Sequence, residues 1–300
     1  MLQVKARAKI NWTLDVVGRR SDGYHWVDML MGSVELHDIL YLEDAEDISL
    51  TVQGDGKQDE VLDLPLNEKN LVIQAAWSLR QALGETRGAS IRLVKRIPIG
   101  AGLGGGSADA AAVIVGLCQL WKKHLPVKEK LALGLSIGAD VPFLLTGGLA
   151  RVTGVGEVLR PLPVPEPIWL VIVQPCEGLS TREVFEAYDR GPVRPLQRPD
   201  RAEAQAALAA RDLPRLARAI GNVLEPFSIV KRPPIGDAIA GLQSLDAVQA
   251  MMTGSGSAVC GFFESEATAR TAGERLRGRW RHTFVTQTAR EGCTWERFAD

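Results

Sequence analysis

Apolar and polar residues alternate along the first part of the chain. Over residues 4–17, even-numbered positions such as Ala8 and Ile10 are apolar, whereas odd-numbered positions such as Lys9 and Asn11 are polar. A period of two places successive side chains on opposite faces of an extended strand. We therefore expect a β-strand with one apolar and one polar face, ending at the turn cluster of residues 18–23.

The rest of the chain divides into segments of strand and helix periodicity. Apolar stretches predict strands at 24–36, within 38–66, and at 90–94, 168–173 and 282–288, with a strand–turn–strand unit over 248–263. Apolar residues recurring every three or four positions predict helices at 70–83, 108–122, 127–137, 201–224, 235–244 and 266–278. Because strands and helices do not alternate strictly, the pattern favours an α+β fold over a doubly wound parallel sheet.

Prolines indicate a domain junction near the middle of the chain. Four of them fall within residues 160–167, and such clusters punctuate regular structure. We expect an N-terminal domain over residues 1–160 and a C-terminal domain over residues 161–300. The Pro- and Arg-rich stretch at 191–199 is expected to be an exposed loop.

Composition narrows the possible partners. The chain has 300 residues, 46% hydrophobic content and a net charge of −1, so it lacks the basic surplus that nucleic-acid binding requires. No apolar run reaches membrane-spanning length, and no leader pattern begins the chain. The four cysteines and four histidines show no metal-ligand spacing. We expect a cytoplasmic protein, a monomer or weak homodimer, acting on small molecules without nucleic acid, membrane or a metal site of its own.

A glycine-rich segment is the strongest candidate for chemistry. Between Gly100 and Gly106 five of seven residues are glycine, and Ser107 and a predicted helix follow. Glycine allows positive φ and close approach of the backbone to a ligand. Main-chain N–H groups at a helix N-terminus, together with the helix dipole, bind anions. The segment therefore predicts a phosphate site.

The glycine-rich segment also allows two other interpretations. Gly100, Gly102 and Gly105 form a G-x-G-x-x-G pattern, as in dinucleotide-binding folds. That fold also expects an acidic residue about 20 positions later, where this chain has Trp121 and two lysines, and an uninterrupted strand, which Pro98 breaks. A purely structural turn is the other alternative, and five glycines before a Ser capping the helix disfavour it. The Gly-Lys-Ser/Thr of a Walker loop is absent.

Several separated segments resemble a known enzyme family. The glycine loop, residues 8–11 and the Gly-Ala-Asp-Val-Pro segment at 138–142 resemble the GHMP kinases, small-molecule kinases related to galactokinase, homoserine kinase and mevalonate kinase. Residues 18–25 and 253–257 are similar to the branch that phosphorylates 4-diphosphocytidyl-2-C-methyl-D-erythritol in the non-mevalonate isoprenoid pathway. The resemblance implies a two-domain GHMP kinase fold, with an N-terminal β–α nucleotide-binding domain and a ferredoxin-like C-terminal domain. It also implies ATP-dependent transfer to the 2-hydroxyl of that substrate.

The resemblance implies two catalytic residues. Asp140 would be the general base that accepts the hydroxyl proton, although an Asp before Val-Pro is also a good N-cap for a short helix. Lys9 would pair with Asp140 and counter charge on the transferred phosphoryl group; alternatively it is a solvated strand lysine. The implied role of Asn11 is a hydrogen bond near the acceptor substrate.

The resemblance also implies binding residues for both substrates. Tyr24 would stack on the cytosine, His25 would hydrogen-bond to it, and Phe185 would close its other side, unless Phe185 is simply a core residue. Thr181 would touch the diphosphate. Lys95 would lie near the adenine, although a lysine at a strand end is ordinarily solvated. The implied ATP-binding residues are Asn70, Lys95, Pro98, Gly100, Gly102, Leu103, Gly104, Gly105, Gly106 and Ser107.

The implied co-substrate is ATP, with Mg²⁺ carried by the nucleotide. Three rival functions are considered. A GHMP kinase for another alcohol, such as homoserine or mevalonate, would not need Tyr24 and His25 to bind a nucleobase, because those substrates carry none. A nicotinamide-dependent dehydrogenase would use the G-x-G-x-x-G pattern. A non-catalytic nucleotide- or RNA-binding protein would need a basic surface that the net charge does not indicate.

Overall fold

The computed structural model describes residues 1–55, 64–191 and 198–298. The strands are β1 (Leu2–Arg19), β2 (His25–Ala45), β3 (Ile48–Gly54), β4 (Gly88–Lys95), β5 (Leu149–Gly154), β6 (Val158–Leu162), β7 (Trp169–Gln174), β8 (Gly221–Asn222), β9 (Gln249–Met252), β10 (Val259–Phe263), β11 (His282–Ala289) and β12 (Cys293–Arg297). The helices are α1 (Leu71–Ala82), α2 (Gly105–Leu120), α3 (Val127–Ile137), α4 (Val141–Thr146), α5 (Thr181–Arg190), α6 (Arg201–Ala210), α7 (Leu213–Ala219), α8 (Glu225–Lys231), α9 (Pro234–Gln243) and α10 (Glu266–Leu276). None of the described helices is long and apolar enough to cross a bilayer.

The first half is built on the long antiparallel pair β1–β2. Their register runs from Leu2 opposite Leu42 to Arg19 opposite His25, with three irregularities along β1. β4 and β5 add to β2, and α2 lies on the sheet. Gly116 allows this close approach, since a Cβ there would lie 2.3 Å from a methyl carbon of Leu42. The central part of β1 is therefore buried on both faces, including its polar one.

The second half forms a smaller antiparallel sheet in the order β11-β7-β10-β9. Numbered along the chain, that order is 4-1-3-2, and α9 and α10 pack on these strands. It is the strand arrangement of a ferredoxin-like domain, in which α9 and α10 are the two helices and the elements α5 to α8 are inserted between the first strand and α9. The α+β fold with a ferredoxin-like second half is confirmed.

The two sheets are joined directly. Thr288 and Ala289 of β11 pair with β2, and the Trp12 and Phe262 rings stack at 4.7 Å. After β11 the chain returns to the first half, because β12 pairs with β1. The division at residue 160 stays a prediction, and the structure adds that the last strand lies in the sheet of the first half.

Most predicted elements occur, with three differences in their limits. α2 begins at Gly105 rather than at 108, so Ser107 lies within its first turn and is not the cap. The segment expected as one helix over 201–224 divides at Arg211, whose φ is +54°, and Asp212 caps α7. β2 continues to Ala45, and the loop expected at 191–199 lies largely outside the described residues.

Six of the described elements carried no clear sequence signal. β5, β6, β8 and β12 are short strands, and β8 falls at the end of the segment expected as a helix over 201–224. The helix α8 has only seven residues, and α5 follows Ser180 in a segment considered only for its side chains. Each is short enough that packing against neighbouring elements, rather than its own periodicity, decides its conformation.

Candidate active site

The glycine loop enters α2 through a series of left-handed residues. Gly100, Gly102 and Gly104 have φ of +69°, +80° and +72°. Gly104 is the N-cap of α2 and, having no side chain, leaves the first main-chain N–H groups of the helix uncapped. The helix runs for 16 residues, so its dipole adds to a concentration of donors at this end. The geometry suits an anionic group.

These residues line a cavity of about 340 Å³ beside the start of α2. All ten residues predicted to bind ATP lie on its walls. The apolar part of the wall, which includes Leu64, Pro65 and Leu71, had no clear sequence signal. Leu64 and Pro65 lie in a connection with no periodicity.

Asn70 shapes this cavity through hydrogen bonds of its side chain to the neighbouring backbone. Its Oδ1 accepts from Val72 N at 2.9 Å, which caps α1, and its Nδ2 donates to Pro65 O at 2.7 Å. Both ends of the amide are thus used within the protein. The residue holds the rim of the cavity in place, and one N–H of Nδ2 and one lone pair of Oδ1 remain for the expected side-chain contact with adenine.

Lys95 is buried, not solvated as one alternative proposed. Its Nζ is shared by the carboxylates of Asp38 and Asp109, at 2.7 Å from Asp109 Oδ2. Although burial disfavours its charge, these carboxylates raise the pKa of Lys95. Burial also raises the pKa of Asp109 well above its usual range, despite Lys95, and Asp109 Oδ1 has no protein partner among the described residues.

Asp38 also fixes the backbone that leads into the glycine loop. Its Oδ1 accepts from Arg96 N at 2.5 Å and Ile97 N at 2.8 Å. A Cβ at Gly105 would lie 3.3 Å from Lys95 Nζ, so the ion cluster lies directly beneath the first turn of α2. Asp38 and Asp109 had no sequence signal, because their contacts with Lys95 join residues 57 and 14 positions apart in the chain.

A second glycine turn, residues 253–257, packs on the first. A Cβ at Gly102 would lie 2.6 Å from Thr253 O, and one at Gly254 would lie 2.9 Å from Gly102 O. Ala258 N donates to Ala101 O at 3.0 Å. Only residues without side chains allow the two backbones to come this close.

Asn222 holds the second glycine turn in place. Its Nδ2 donates to Met252 O at 3.0 Å and to Gly254 O at 2.8 Å, and Ser228 Oγ donates to Ser255 O at 3.3 Å. Both side chains are buried. Neither residue has a sequence signal, since a lone Asn or Ser is common in any connection.

Lys9 lies between the two glycine turns. It is 5% exposed, so the solvated-lysine alternative is wrong. Its Nζ donates to Asn11 Oδ1 at 2.9 Å. A Cβ on Gly104 would be 3.1 Å from Lys9 Cγ, and one on Gly254 would be 3.4 Å from Nζ. Its ammonium therefore lies where both turns meet.

The implied Lys9–Asp140 ion pair is not formed in the described part of the chain. Instead, the Lys9 ammonium donates to the side chain of Asn11, which lies two residues further along the same strand face. Asn11 is itself held, since its backbone N donates to Thr253 Oγ1 at 2.9 Å. Asn11 thus orients Lys9, and its amide oxygen is not free for another donor.

Asp140 stands at the N-cap position of α4, but its side chain forms no cap hydrogen bond. The alternative of a simple helix cap is therefore not realised. The carboxylate is half-buried, and no hydrogen bond or ion pair to a described residue occupies it. A Cβ at the neighbouring Gly138 would be 3.6 Å from Ser107 Oγ, so this segment lies beside the first turn of α2.

A second cavity, of about 610 Å³, contains the residues expected to read the base. Tyr24, His25, Thr181 and Phe185 all line it. Tyr24 is 65% exposed, whereas the His25 side chain is 8% exposed. The structure brings together these four residues from the start of β2 and from α5, as the resemblance implied.

The aromatic arrangement differs from the expectation in one respect. The His25 ring stacks on Phe185, with centroids 4.7 Å apart and planes at 24°. One face of Phe185 is therefore covered by His25, so a base could meet only its other face. Phe185 also packs against the core, so the core alternative and the cavity position are compatible.

Thr181 connects the two regions. Its Oγ1 lies 3.0 Å from Ser255 Oγ, in the second glycine turn. Thr181 is also the first residue of α5, the helix that carries Phe185. The second cavity is therefore continuous with the glycine turn that contacts Lys9 and Gly102.

Two family models match the chain. The GHMP kinases N terminal domain matches residues 70–148, which contain the glycine loop, and the GHMP kinases C terminal matches residues 204–282. Together they cover more than half of the chain. The first match contains most of the residues that line the cavity at α2, and the second contains the second glycine turn and the residues that hold it.

Relatives are similar over nearly the full length. The 4-diphosphocytidyl-2-C-methyl-D-erythritol kinase of Alkaliphilus metalliredigens is 39% identical over 287 residues, which is 96% of each chain. That of Pelotomaculum thermopropionicum is 43% identical, covering 94% of this chain and 96% of its own. A crystal structure of 4-(cytidine 5'-diphospho)-2C-methyl-D-erythritol kinase superposes with a TM-score of 0.77 at 34% identity, covering 96% of this chain and 99% of its own. The chain belongs to the GHMP kinases and, within them, to the 4-diphosphocytidyl-2-C-methyl-D-erythritol kinase family.

Proposed function

We propose that this chain transfers the γ-phosphoryl group of ATP to the 2-hydroxyl of 4-diphosphocytidyl-2-C-methyl-D-erythritol, giving the 2-phosphate and ADP. The observation that carries the proposal is the meeting of the two glycine turns at Lys9, with a base-sized aromatic cavity joined to them through Thr181. The full-length relatives are kinases of this substrate. They support this function over a kinase of another alcohol, a dehydrogenase or an RNA-binding protein.

ATP would bind with its phosphates at the uncapped start of α2. The main-chain N–H groups of the loop and the Lys9 ammonium supply positive charge without reorganisation at the moment of transfer. Because Lys9 is held by Asn11 between the two turns, its charge stays fixed near the transferred group. The adenosine part would occupy the remaining cavity near Asn70 and Lys95.

Asp140 would act as the general base. Its carboxylate is not used as a cap or in an ion pair within the described residues, and it lies on the segment beside Ser107. As the bond between the 2-hydroxyl oxygen and the γ-phosphorus forms, this carboxylate would take the proton of the hydroxyl. The bond between the γ-phosphorus and the bridging oxygen would break, and ADP would leave with that electron pair. A positioned base of this kind contributes about 10²–10⁴ in rate.

The acceptor would place its cytosine in the second cavity. Tyr24 would stack on the base, His25 would hydrogen-bond to it, and Phe185 would offer its open face. Thr181 would meet the diphosphate on the way to the site of transfer. This assignment uses four of the five residues predicted to bind the acceptor in a single binding mode, and the fifth, Asn11, orients Lys9.

The described residues bring no three acidic, His or Cys side chains together as a metal site. Mg²⁺ would therefore arrive on the nucleotide phosphates and keep most of its waters, with charge neutralisation as its contribution. We further propose that the enzyme works in the cytoplasm as a monomer or weak homodimer, without nucleic-acid or membrane partners. The near-neutral charge supports the absence of nucleic-acid and anionic-membrane partners, and the free cysteines support a reducing compartment.

A coupled ADP-release assay tests the function. We expect ATP-dependent turnover with the cytidylylated alcohol and at least about a hundredfold lower kcat/KM with 2-C-methyl-D-erythritol 4-phosphate, which lacks the base. Asp140→Asn should lower kcat at least about a hundredfold, with nucleotide affinity nearly unchanged. Asp200→Asn is the matched control, because Asp200 caps α6 through its side chain away from both cavities. Turnover that ignores the cytidine part would contradict the substrate assignment, and near-normal kcat in Asp140→Asn would remove the base.

A further inference from the structure

A carboxylate of α5 lies against the imidazole of the second cavity. Asp189 Oδ1 is 2.7 Å from His25 Nε2, and Asp189 Oδ2 is 3.3 Å from an Arg19 nitrogen. The His25 side chain is 8% exposed and that of Asp189 is 22% exposed. Both oxygens of this carboxylate thus face nitrogen groups that can donate hydrogen bonds.

The His25 ring has no freedom to turn away from this contact. Phe185 stacks on one face, and Tyr188 meets the ring edge-on, with centroids 6.3 Å apart. A ring held by two aromatic neighbours and a 2.7 Å hydrogen bond keeps one orientation. Packing therefore fixes the plane of the ring, and the hydrogen bond to Asp189 places Nε2 at the carboxylate.

This contact determines which ring nitrogen carries the proton. An ionised carboxylate only accepts hydrogen bonds, so Nε2 must bear the hydrogen that it donates to Asp189. In neutral imidazole the other nitrogen, Nδ1, is then an acceptor. Among the described residues Nδ1 has no hydrogen-bond partner, and it is not one of the polar atoms sealed from solvent. An acceptor without a protein partner remains available in the cavity.

Cytosine and uracil differ in the group that would meet this acceptor. Cytosine has an exocyclic amino group, which donates, where uracil has a carbonyl oxygen, which only accepts. An acceptor at Nδ1 can accept a hydrogen bond from the amino group of cytosine. With uracil, the same nitrogen would face the lone pairs of the carbonyl oxygen and form no hydrogen bond. A site that hydrogen-bonds one base loses affinity for the other, because its polar group is then left unpaired.

We infer that Asp189 is a positioning residue that selects cytosine over uracil by holding His25 in the Nε2–H form. The inference rests on the proposed function, because it assumes that the cavity reads the base of a cytidylylated alcohol. Asp189 touches no substrate in this account and acts only through His25. Removal of the carboxylate frees the imidazole to carry its hydrogen on Nδ1, where it donates to the uracil oxygen.

Kinetics with a pair of substrates test the selection. The acceptor is compared with its uridine diphosphate analogue by ADP release, in the wild type, Asp189→Ala and the control Glu183→Gln. Glu183 is an exposed acid of the same helix and lies outside both cavities. We expect the wild type and the control to prefer the cytidine substrate at least about a hundredfold in kcat/KM. Asp189→Ala should reduce that ratio at least about tenfold through KM, with kcat for the cytidine substrate nearly unchanged.

Nitrogen chemical shifts of the histidine side chains test the tautomer itself. The chain has four histidines, so a long-range ¹H–¹⁵N spectrum with a His25→Gln reference assigns His25. We expect an acceptor-type shift for Nδ1 in the wild type and averaged shifts for both nitrogens in Asp189→Ala. A protonated Nδ1 in the wild type, or an unchanged substrate ratio in Asp189→Ala, would overturn the inference. A wild type inactive on the cytidine substrate would instead contradict the proposed function, and the spectrum would still decide the tautomer.

Discussion

The contact between the two glycine turns can be tested by adding a single methyl group. Gly102→Ala would place a Cβ 2.6 Å from Thr253 O and 3.2 Å from Gly256 N. Ordinary contact begins at 3.4 Å, so the turns must separate by about 0.8 Å. Thr253 O cannot move alone, because it accepts from Gly256 N at 3.1 Å within its own turn.

The cost of this substitution has two parts. Alanine at positive φ costs about 1–2 kcal/mol of stability wherever it occurs. Displacement of the turns is specific to this site, where a misplacement near 1 Å costs about a hundredfold in rate. Gly278→Ala separates the two, since Gly278 has a φ of +78°, close to the +80° of Gly102, with no atom within 4 Å of its Cβ.

Steady-state ADP release and thermal unfolding of both variants are the assays. We expect both variants to lose a similar amount of stability. Gly102→Ala should lose about a hundredfold in kcat/KM, whereas Gly278→Ala should keep wild-type kinetics. If the kcat/KM of Gly102→Ala fell within threefold of that of Gly278→Ala, the contact between the turns would have no catalytic importance.

Three further predictions concern the ion cluster, the connection to the second turn and the base cavity. Lys95→Met should destabilise the fold by about 3–5 kcal/mol in urea unfolding, because two buried carboxylates lose their cation; a loss below 1 kcal/mol would show that the cluster is dispensable. Burial raises the pKa of Glu225, whose carboxylate accepts from Met252 N, from 4.5 to about 7. The folded protein then holds a proton that the unfolded chain releases, so wild-type stability should fall between pH 4.5 and about 7, by up to about 3 kcal/mol relative to Glu225→Gln; parallel urea profiles for the two proteins would refute this. Tyr24→Ala should weaken binding of the cytidylylated substrate in calorimetry and leave ATP binding unchanged; equal losses for both would argue against stacking.

Local sequence patterns were sufficient where the physical cause is local. The period of two in β1 and the positive φ at Gly100, Gly102 and Gly104 follow from neighbouring residues alone. The same holds for the turn at 253–257, which is short, glycine-rich and flanked by apolar strands. These patterns located the cavity at α2 without any knowledge of tertiary contacts.

Contacts between distant residues could not be predicted in the same way. Asp38 and Lys95 are 57 positions apart, and Asn11 meets Thr253 across 242. The pairing expected for Lys9 failed for a related reason. Asn11, its neighbour on the same strand face, accepts the hydrogen bond of the ammonium. Sequence spacing alone does not show whether Asn11 or Asp140 is the partner of Lys9.

The family resemblance predicts the roles of individual residues, whereas the structure shows the contacts that limit those roles. Nothing in the sequence shows that His25 covers one face of Phe185, or that Asp189 stands behind the imidazole. Both facts depend on how α5 is placed against the start of β2. They change which surface of the cavity is open to a base.

A crystal structure with a non-hydrolysable ATP analogue and the cytidylylated alcohol tests the central claim most directly. We predict that the triphosphate lies at the first turn of α2, with its oxygens accepting from main-chain N–H groups of residues 102–107 and the Lys9 ammonium near the γ-phosphoryl. The 2-hydroxyl should lie between Asp140 and the γ-phosphorus. A triphosphate bound elsewhere, with the glycine loop packed against protein alone, would contradict the account.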